Sequence, residues 1–555
     1  MNTAMVVMGD GIRLATDIYL PQRVGPFPVV LNRTPYGKAA IGQWAIELLL
    51  AEGYALCVQD TRGRYESEGA FDPFANEAAD GADTLAWLKA QPWCNGRIGG
   101  YGMSYHGYTQ YAMALDSDDV CALTPVFGSL ALDRVLFRGG VFCLSFLQWA
   151  LVSHGRTVRD GTGFELARIA RHRPAIEAAD VALGERVEFY RDWRSRPLGD
   201  AYWDRLTGGR NGLERIGAPA LVVAGWYDMF AVAQLGDFER LQRHPNGAVR
   251  RGSKLLVGPW NHTFYGPHHA AYGIEADVAE GGRPRELLRE MMRWLAFALH
   301  GADNGWAERA PVRLFVMGEN VWRDEAEWPL ARAECAAFYL HSGGKANTAG
   351  GDGTLDRSRP DGEERPDAFV YDPCVPVPAA GGSHIGSGPA EQAAVERRED
   401  VLVYTSAPLA QPLEITGPIA LTLFVATDAP DTDFTGKLTD VFPDGRSFVL
   451  SDGIARVRHG ADSAGAKPPL PGDTIALDIA MSPVSVLLRE GHRIRLQVSS
   501  SNFPCYATNP NTGADDDCAT ETRRAMQRVY HDSVRASYVT LPVVPRTAVA
   551  IRTHA

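Results

Sequence analysis

Residues 97–107 read Arg97-Ile98-Gly99-Gly100-Tyr101-Gly102-Met103-Ser104-Tyr105-His106-Gly107, followed by Tyr108-Thr109-Gln110-Tyr111-Ala112-Met113-Ala114-Leu115. The spacing predicts a short apolar strand running into Gly102, a tight turn at Ser104 and a helix behind it. A serine at such an elbow is pushed to φ/ψ values that only small neighbours tolerate. Its hydroxyl then stands at the carboxyl edge of a sheet, beside the N–H groups of a helix start. A nucleophilic serine needs that setting. The pattern departs from the common G-x-S-x-G form, because His106 takes the place of the second glycine. The same spacing recurs at Gly381-x-Ser383-x-x-Gly386, and Gly445-x-Ser447 is a third G-x-S. Only Ser104 has the strand-turn-helix context, and its other reading is a helix N-cap.

Working outward, Met5–Pro21 reads as a hairpin about Gly9-Asp10-Gly11, and residues 27–33 and 54–60 as buried strands. Helices are predicted over 45–52 and 76–91, and a further strand over 123–127. This alternation implies a parallel α/β sheet whose functional loops share one edge. From Leu132 to about Gly209 there are helix periods and many aromatics but no strand candidate, as expected for a helical insertion. Strands resume at 219–225 and 253–258, with helices at 232–242 and 285–300. The insertion is therefore expected to cap the active edge. Beyond about Leu330, short runs between Gly, Pro and Asp turns predict a jelly-roll β-sandwich. The expected fold is an α/β-hydrolase domain with an inserted helical cap, followed by an all-β jelly-roll domain. Its boundaries fall at 1–131 and 210–331 for the two parts of the hydrolase domain, 132–209 for the cap and 332–555 for the jelly roll.

Composition narrows the function. A net charge of −12 and the absence of any Lys/Arg block exclude a nucleic-acid surface. No run reaches the eighteen or so apolar residues of a membrane helix, and Met1–Leu14 lacks a signal-peptide core. The eight cysteines are scattered without a C-x-x-C pair, which predicts buried free thiols and a cytoplasmic location. No metal site is expected. The acidic run Asp428-Ala429-Pro430-Asp431-Thr432-Asp433 lacks EF-hand spacing and reads as a turn with solvated carboxylates. No phosphate- or dinucleotide-binding glycine loop is present, and no cofactor is expected.

A serine nucleophile needs a base within hydrogen-bond reach and an acid to orient it. In an α/β-hydrolase sheet these follow in the order Ser, Asp, His. Ala224-Gly225-Trp226-Tyr227-Asp228 puts a carboxylate just past one strand, and Val257-Gly258-Pro259-Trp260-Asn261-His262 puts an imidazole just past the next. His268 and His269 are rival bases. Asp60 is a rival acid, for which pairing with Arg62 or Arg64 is a sufficient structural reason. Of the two oxyanion donors required, one is the Tyr105 N–H. The other should come from Arg33-Thr34-Pro35-Tyr36-Gly37, where Pro35 has no N–H. There the Tyr36 hydroxyl is either that donor or a turn-packing aromatic.

With these loops assembled, the chain resembles the family of bacterial cocaine esterase, X-prolyl dipeptidyl aminopeptidases and α-amino acid ester hydrolases. The matches are residues 32–38 (Asn-Arg-Thr-Pro-Tyr-Gly-Lys), 59–63, 102–107, 225–228, 258–262 and 312–318, with 431–435 and 497–503 near the C-terminus. The resemblance covers nearly the whole chain. It carries the nucleophile onto Ser104, the acid onto Asp228, the base onto His262, and favours Tyr36 and the Tyr105 N–H as oxyanion donors. The elbow with His106 is the family's own form. Trp149 and Phe230 look like retained apolar pocket walls. The Pro378–Pro389 loop is short and Gly-rich, where cocaine esterase has a longer loop with a Leu-Phe pair lining its acyl pocket, so cocaine hydrolysis is not carried over. The N-terminal extension usual in the proline-specific peptidases is absent. The carboxylate cluster of an amino-ester hydrolase is not evident, Glu185 and Glu188 being surface-helix candidates.

Three readings follow. The first is a carboxylic-ester hydrolase working through an acyl-enzyme. The second keeps the machinery and acts on amides or peptides, as an X-prolyl dipeptidyl peptidase, amidase or amino-ester acyltransferase. The third is a binding protein on a relic hydrolase fold. The expected partner is a small-molecule ester or amide, with neither nucleic acid nor membrane, and a homodimer is the assembly to test.

Overall fold

A computed structural model of the chain describes residues 1–264, 270–273, 278–279, 283–459 and 470–546. They form two compact units. One comprises Met1–Leu136, Leu144–Gly258 and Asp277–Arg313, the other Phe137–Cys143, Pro259–Ala276 and Leu314–Ala555.

The first unit opens with β1 (Asn2–Val7) and β2 (Arg13–Tyr19), the antiparallel hairpin expected. Then come β3 (Phe27–Thr34), α1 (Gln43–Ala51), β4 (Ala55–Asp60), α2 (Glu77–Lys89) and β5 (Cys94–Gly100). After Tyr101 follow β6 (Gly102–Met103), α3 (Tyr105–Leu115), β7 (Val120–Ala122) and β8 (Pro125–Val126). β1-β2-β4-β3-β5-β7 make one sheet, parallel from β4 through β3 and β5 to β7. Every residue of β3 and β4 is buried, as a strand covered on both faces requires. The register sets Thr34 opposite Asp60 and Leu31 opposite Gly100, so β3 and β4 end level and β5 stops three residues short of them. β6 and β8 belong to a second sheet, with strands Leu221–Tyr227 and Lys254–Asn261 next in order. The chain therefore changes sheets at Tyr101, three residues before Ser104.

Between β8 and Leu221 the unit is helical, with helices at Ser145–Ser153, Leu166–Ile169, Ala178–Leu183, Glu188–Ser195 and Ala201–Thr207. One expectation is corrected: the stretch does contain strand. Phe137–Arg138 and Val141–Phe142 form a two-residue antiparallel pair, and both belong to the second unit. Two pairs of residues around Gly139-Gly140 are too short to leave an alternation in the sequence.

The second unit is all-β in its C-terminal part. Its longest strands, Leu413–Thr427 and Ile475–Leu488, pair antiparallel with a register shift between Gly417 and Ile419. Strands Asp433–Val441 and Ser447–Arg456 are buried throughout. The cysteine expectation is half right. All eight are free, and Cys57, Cys143 and Cys505 are buried, but Cys335, Cys374 and Cys518 are exposed. Among the described residues no helix is long and apolar enough to cross a membrane.

Candidate active site

Ser104 has φ 62° and ψ −121°, a backbone state that costs of order 1–3 kcal/mol for a non-glycine residue. The surroundings over-determine it. The Ser104 N–H donates to the Val126 carbonyl at 2.8 Å, and the Ser104 carbonyl accepts from Gly107 at 2.8 Å. Gly102 explains how His106 fits. A Cβ on Gly102 would stand 2.3 Å from the His106 Cβ and 2.8 Å from Asn32 Nδ2, so the glycine two residues before the serine clears room for the imidazole.

Tyr36 lies just past β3. Its hydroxyl accepts the Trp149 indole N–H at 2.9 Å and is hydrogen-bonded to Ser104. Burial of that end of the ring raises the phenol pKa, against the opposing pull of Trp149, Ser104 and the Arg64 charge, so the hydroxyl keeps its proton. The loop carrying it is held from two sides. The Tyr36 N–H donates to Thr34 Oγ1 at 3.0 Å, and Thr34 Oγ1 is bonded to His106 Nε2 at 2.8 Å. Arg64 Nε donates to the Pro35 carbonyl at 2.7 Å. Burial lowers the His106 pKa to about 4, so the ring is neutral near pH 7.

Tyr105 is buried. Its hydroxyl donates to Glu77 Oε1 at 2.8 Å and accepts the Phe74 N–H at 2.8 Å. Glu77 stands 2.8 Å from Arg33 Nη1. Burial raises the Glu77 pKa, against the Arg33 charge. The Trp149 ring lies parallel to that of Tyr105, 6.0 Å between centroids at 8°, and also stacks on Phe74. Phe230 is buried and meets Phe146 edge-on at 6.5 Å.

Asp228 follows strand Leu221–Tyr227 and is fully buried. Its Oδ1 accepts the Phe230 N–H at 2.8 Å, so it serves as the cap of the turn entering helix Ala231–Leu241. His262 follows strand Lys254–Asn261 and is buried in the second unit. The flanking turn is organised by the Asn261 side chain. Its Oδ1 accepts from the Thr263 N–H and Oγ1, both at 3.1 Å, and its Nδ2 donates to the Ser387 carbonyl at 2.6 Å. Both predicted strand-end positions thus exist, and Ser104 and Tyr36 are in direct contact. His268 and His269 lie outside the described residues.

Two expectations are corrected. Asp60 does not pair with Arg62 or Arg64. Its carboxylate accepts the N–H groups of Lys38 at 2.6 Å and Glu66 at 3.4 Å, while Arg62 binds Asp10 and Asp80. Arg64 gives its N–H groups to the carbonyls of Pro35, Ser153 and Gly155. The carboxylates of the acidic turn are solvated only at Asp428, which is exposed. Asp431 and Asp433 are buried, Asp431 on Arg458 at 2.7 Å and Asp433 on Arg456 at 2.8 Å, with Asn509 bonding both. Two guanidinium groups sit where a cation would. Among the described residues no cluster of His, Cys, Asp or Glu suits a metal ion. Ser383 and Ser447 are structural, bonded to Ser482 and Glu396. Glu185 and Glu188 lie on Arg159 and Arg186, each at 2.5 Å.

Reading the sequence did not single out Glu77, and it gave Arg33, Thr34 and Arg64 no part in holding the Tyr36 loop. The one available signal was Arg33 near the end of a fully buried strand, which such a strand tolerates only with a buried partner.

Residues 10–264 match the model of the X-Pro dipeptidyl-peptidase S15 family, and residues 304–540 that of the X-Pro dipeptidyl-peptidase C-terminal non-catalytic domain. The chain is 36% identical to cocaine esterase of Rhodococcus sp. (strain MB1 Bresler), covering 98% of both chains. Among solved structures it superposes on an aminopeptidase from a marine sediment Thaumarchaeota archaeon with a TM-score of 0.83 at 25% identity, covering 98% of this chain and 96% of that one. An α-amino acid ester hydrolase gives 0.82 at 24% over the same shares, a likeness of fold.

Proposed function

The chain belongs to the serine-hydrolase family of cocaine esterase and the S15 X-Pro dipeptidyl-peptidases, and from that premise we propose that it hydrolyses carboxylic esters through an acyl-enzyme. The observation that carries this reading is the strained Ser104 elbow with its side chain hydrogen-bonded to the Tyr36 phenol. Ser104 Oγ attacks the ester carbonyl carbon while His262 takes its proton, and Asp228 steadies the imidazolium that forms. The carbonyl oxygen becomes an oxyanion, met by the Tyr36 hydroxyl and the Tyr105 N–H. The C–O bond to the alcohol breaks, with the alcohol leaving on the proton from His262. Water, deprotonated by His262, then attacks the acyl-Ser104 ester and releases the acid. Trp149 and Phe230 wall the site. Trp149 has a second part, because its indole fixes where the Tyr36 oxygen points.

A second reading is favoured by the S15 match and by the likeness to the archaeal aminopeptidase: the same residues acting on an X-prolyl peptide or another amide. A paired assay separates the two. Wild type and Ser104→Ala are compared on short p-nitrophenyl esters, a benzoate ester and Gly-Pro-p-nitroanilide. Ester turnover lost in Ser104→Ala is the expected result, and dominant anilide turnover would move the enzyme to the peptidase side. Activity unchanged by the substitution would overturn the nucleophile assignment.

A further inference from the structure

Beside the elbow, in the first unit alone, lies a cavity of about 290 Å³. One wall comes from the connection between β3 and α1, with Tyr36 and Ile41, and from the first turn of α1, with Trp44; the other comes from the elbow, with Tyr101, Met103 and His106. Met103 is the residue before the proposed nucleophile, and Tyr36 touches Ser104 through its hydroxyl. The cavity is therefore lined by the proposed oxyanion donor Tyr36 and by Met103, the residue before the proposed nucleophile.

Its chemistry is uniform. Among the described residues lining it there is no carboxylate, ammonium or guanidinium group. His106, the one titratable imidazole there, is neutral above about pH 4. Several polar groups are committed elsewhere. Asn32 Nδ2 donates to the Tyr101 carbonyl at 2.9 Å, and Thr34 Oγ1 holds both the Tyr36 N–H and His106 Nε2. A charged group entering here would give up its hydration for no countercharge. An apolar one would gain contact with Ile41, Trp44 and Met103. An apolar cavity of about 150 Å³ suffices to hold benzene, so this one admits an aromatic ring with several carbons more. The contrast lies on the cap side, where a hollow lined by Asp72, Glu188 and Asp192 has each carboxylate facing an arginine.

We propose that the cavity between the β3–α1 connection and the elbow is the subsite for an uncharged apolar arm of the ester, ring-sized or longer, and that it selects against substrates charged on that arm. This rests on the esterase reading above. Burying one methylene corresponds to about 0.8 kcal/mol, a factor of about four in kcat/KM. A chain-length series should climb by about that factor per carbon until the cavity is full.

The test uses two series on the full chain, p-nitrophenyl acetate to octanoate for the acyl arm and methyl to benzyl acetates for the alcohol arm. Each is run with wild type, Ile41→Trp, which fills the cavity from a half-exposed position, and Trp44→Ala, which widens it. Labelling of Ser104 by a small fluorophosphonate is followed in parallel. The expected result is that Ile41→Trp lowers the ratio of longest to shortest substrate at least tenfold in one series, and that Trp44→Ala moves the optimum to longer arms in that same series. The series that responds identifies the arm. Intact labelling with an unaltered chain-length profile in both variants would overturn the subsite alone. A wild type that neither labels nor turns over esters would overturn the esterase reading and the subsite with it.

Discussion

Replacing Tyr36 by Phe removes one oxygen and leaves the ring where it is. The edge-on contacts with Tyr105 at 6.4 Å and His106 at 5.4 Å between centroids survive, because neither uses the hydroxyl. Two separable losses follow. The Trp149 indole N–H loses its acceptor at 2.9 Å, an effect of about 1 kcal/mol for a half-buried donor. For a domain of this size that lowers Tm by roughly 2–4 °C. If the phenol also donates to the oxyanion, turnover falls by a further 10²–10³, about 2.7–4 kcal/mol. That contact exists only once charge has developed on the carbonyl oxygen, so kcat should carry the loss and KM should move little. Because burial raises the Tyr36 pKa, the wild type should keep its activity well into the alkaline range without a fall from ionisation of this phenol. Steady-state kinetics on a p-nitrophenyl ester, with a thermal melt of the same preparation, gives both numbers. A variant with kcat within about threefold of wild type and the small Tm drop intact would refute the donor role. Tyr36 would then be the turn-packing aromatic that the sequence also allowed.

Two further outcomes follow from geometry given above. Gly102→Ala should abolish fluorophosphonate labelling of Ser104, since its Cβ would lie 2.3 Å from that of His106; normal labelling would show that the elbow relaxes. His531→Ala should destabilise the β unit by about 3 kcal/mol, in the range for breaking a buried ion pair. The fully buried ring lies between Asp367 at 3.0 Å and Glu364 at 2.8 Å; Ser342 adjoins it, Tyr404 bonds Asp367, and His341 shares Glu364. Burial alone would lower the His531 pKa, but the two carboxylates hold it above the ordinary value. Its contribution is therefore complete below the unfolded value of about 6.5 and lost as pH rises through the raised folded pKa. The Tm gap between wild type and variant should narrow as pH is raised above 7, and a gap that stays constant to pH 10 would refute the imidazolium assignment.

The elements were legible wherever one periodicity ran for several residues. β3 and β4 begin as apolar runs, Phe27–Leu31 and Ala55–Val58, and α2 is long enough to declare its period. The Phe137–Arg138 and Val141–Phe142 pair was not legible, because two-residue strands leave no alternation. At the site, the positions after strand ends could be read from Asp228 and His262, since a polar residue closing a buried strand stands out. What holds them could not. The Asn261 bond to the Ser387 carbonyl joins residues far apart in sequence, and the acceptor is a backbone atom that has no letter of its own. The acidic turn misled for the same reason. Arg456 and Arg458 lie more than twenty residues from Asp431 and Asp433, on the strand Ser447–Arg456 and the turn after it.

The two units consist of six chain segments, so the backbone passes between them five times. This matters during synthesis. The Gly139 carbonyl waits for the Arg456 N–H, Cys143 for its bridge to Tyr506, and Asn261 for Ser387. At about 5–20 residues per second, the 126 residues between Asn261 and Ser387 are a wait of about 6–25 s on the ribosome. During that interval the turn bearing the proposed base has no Ser387 carbonyl to lean on. A nascent chain, or one cut short before the β strands emerge, would carry its nucleophile already formed and the support of its base still unmade.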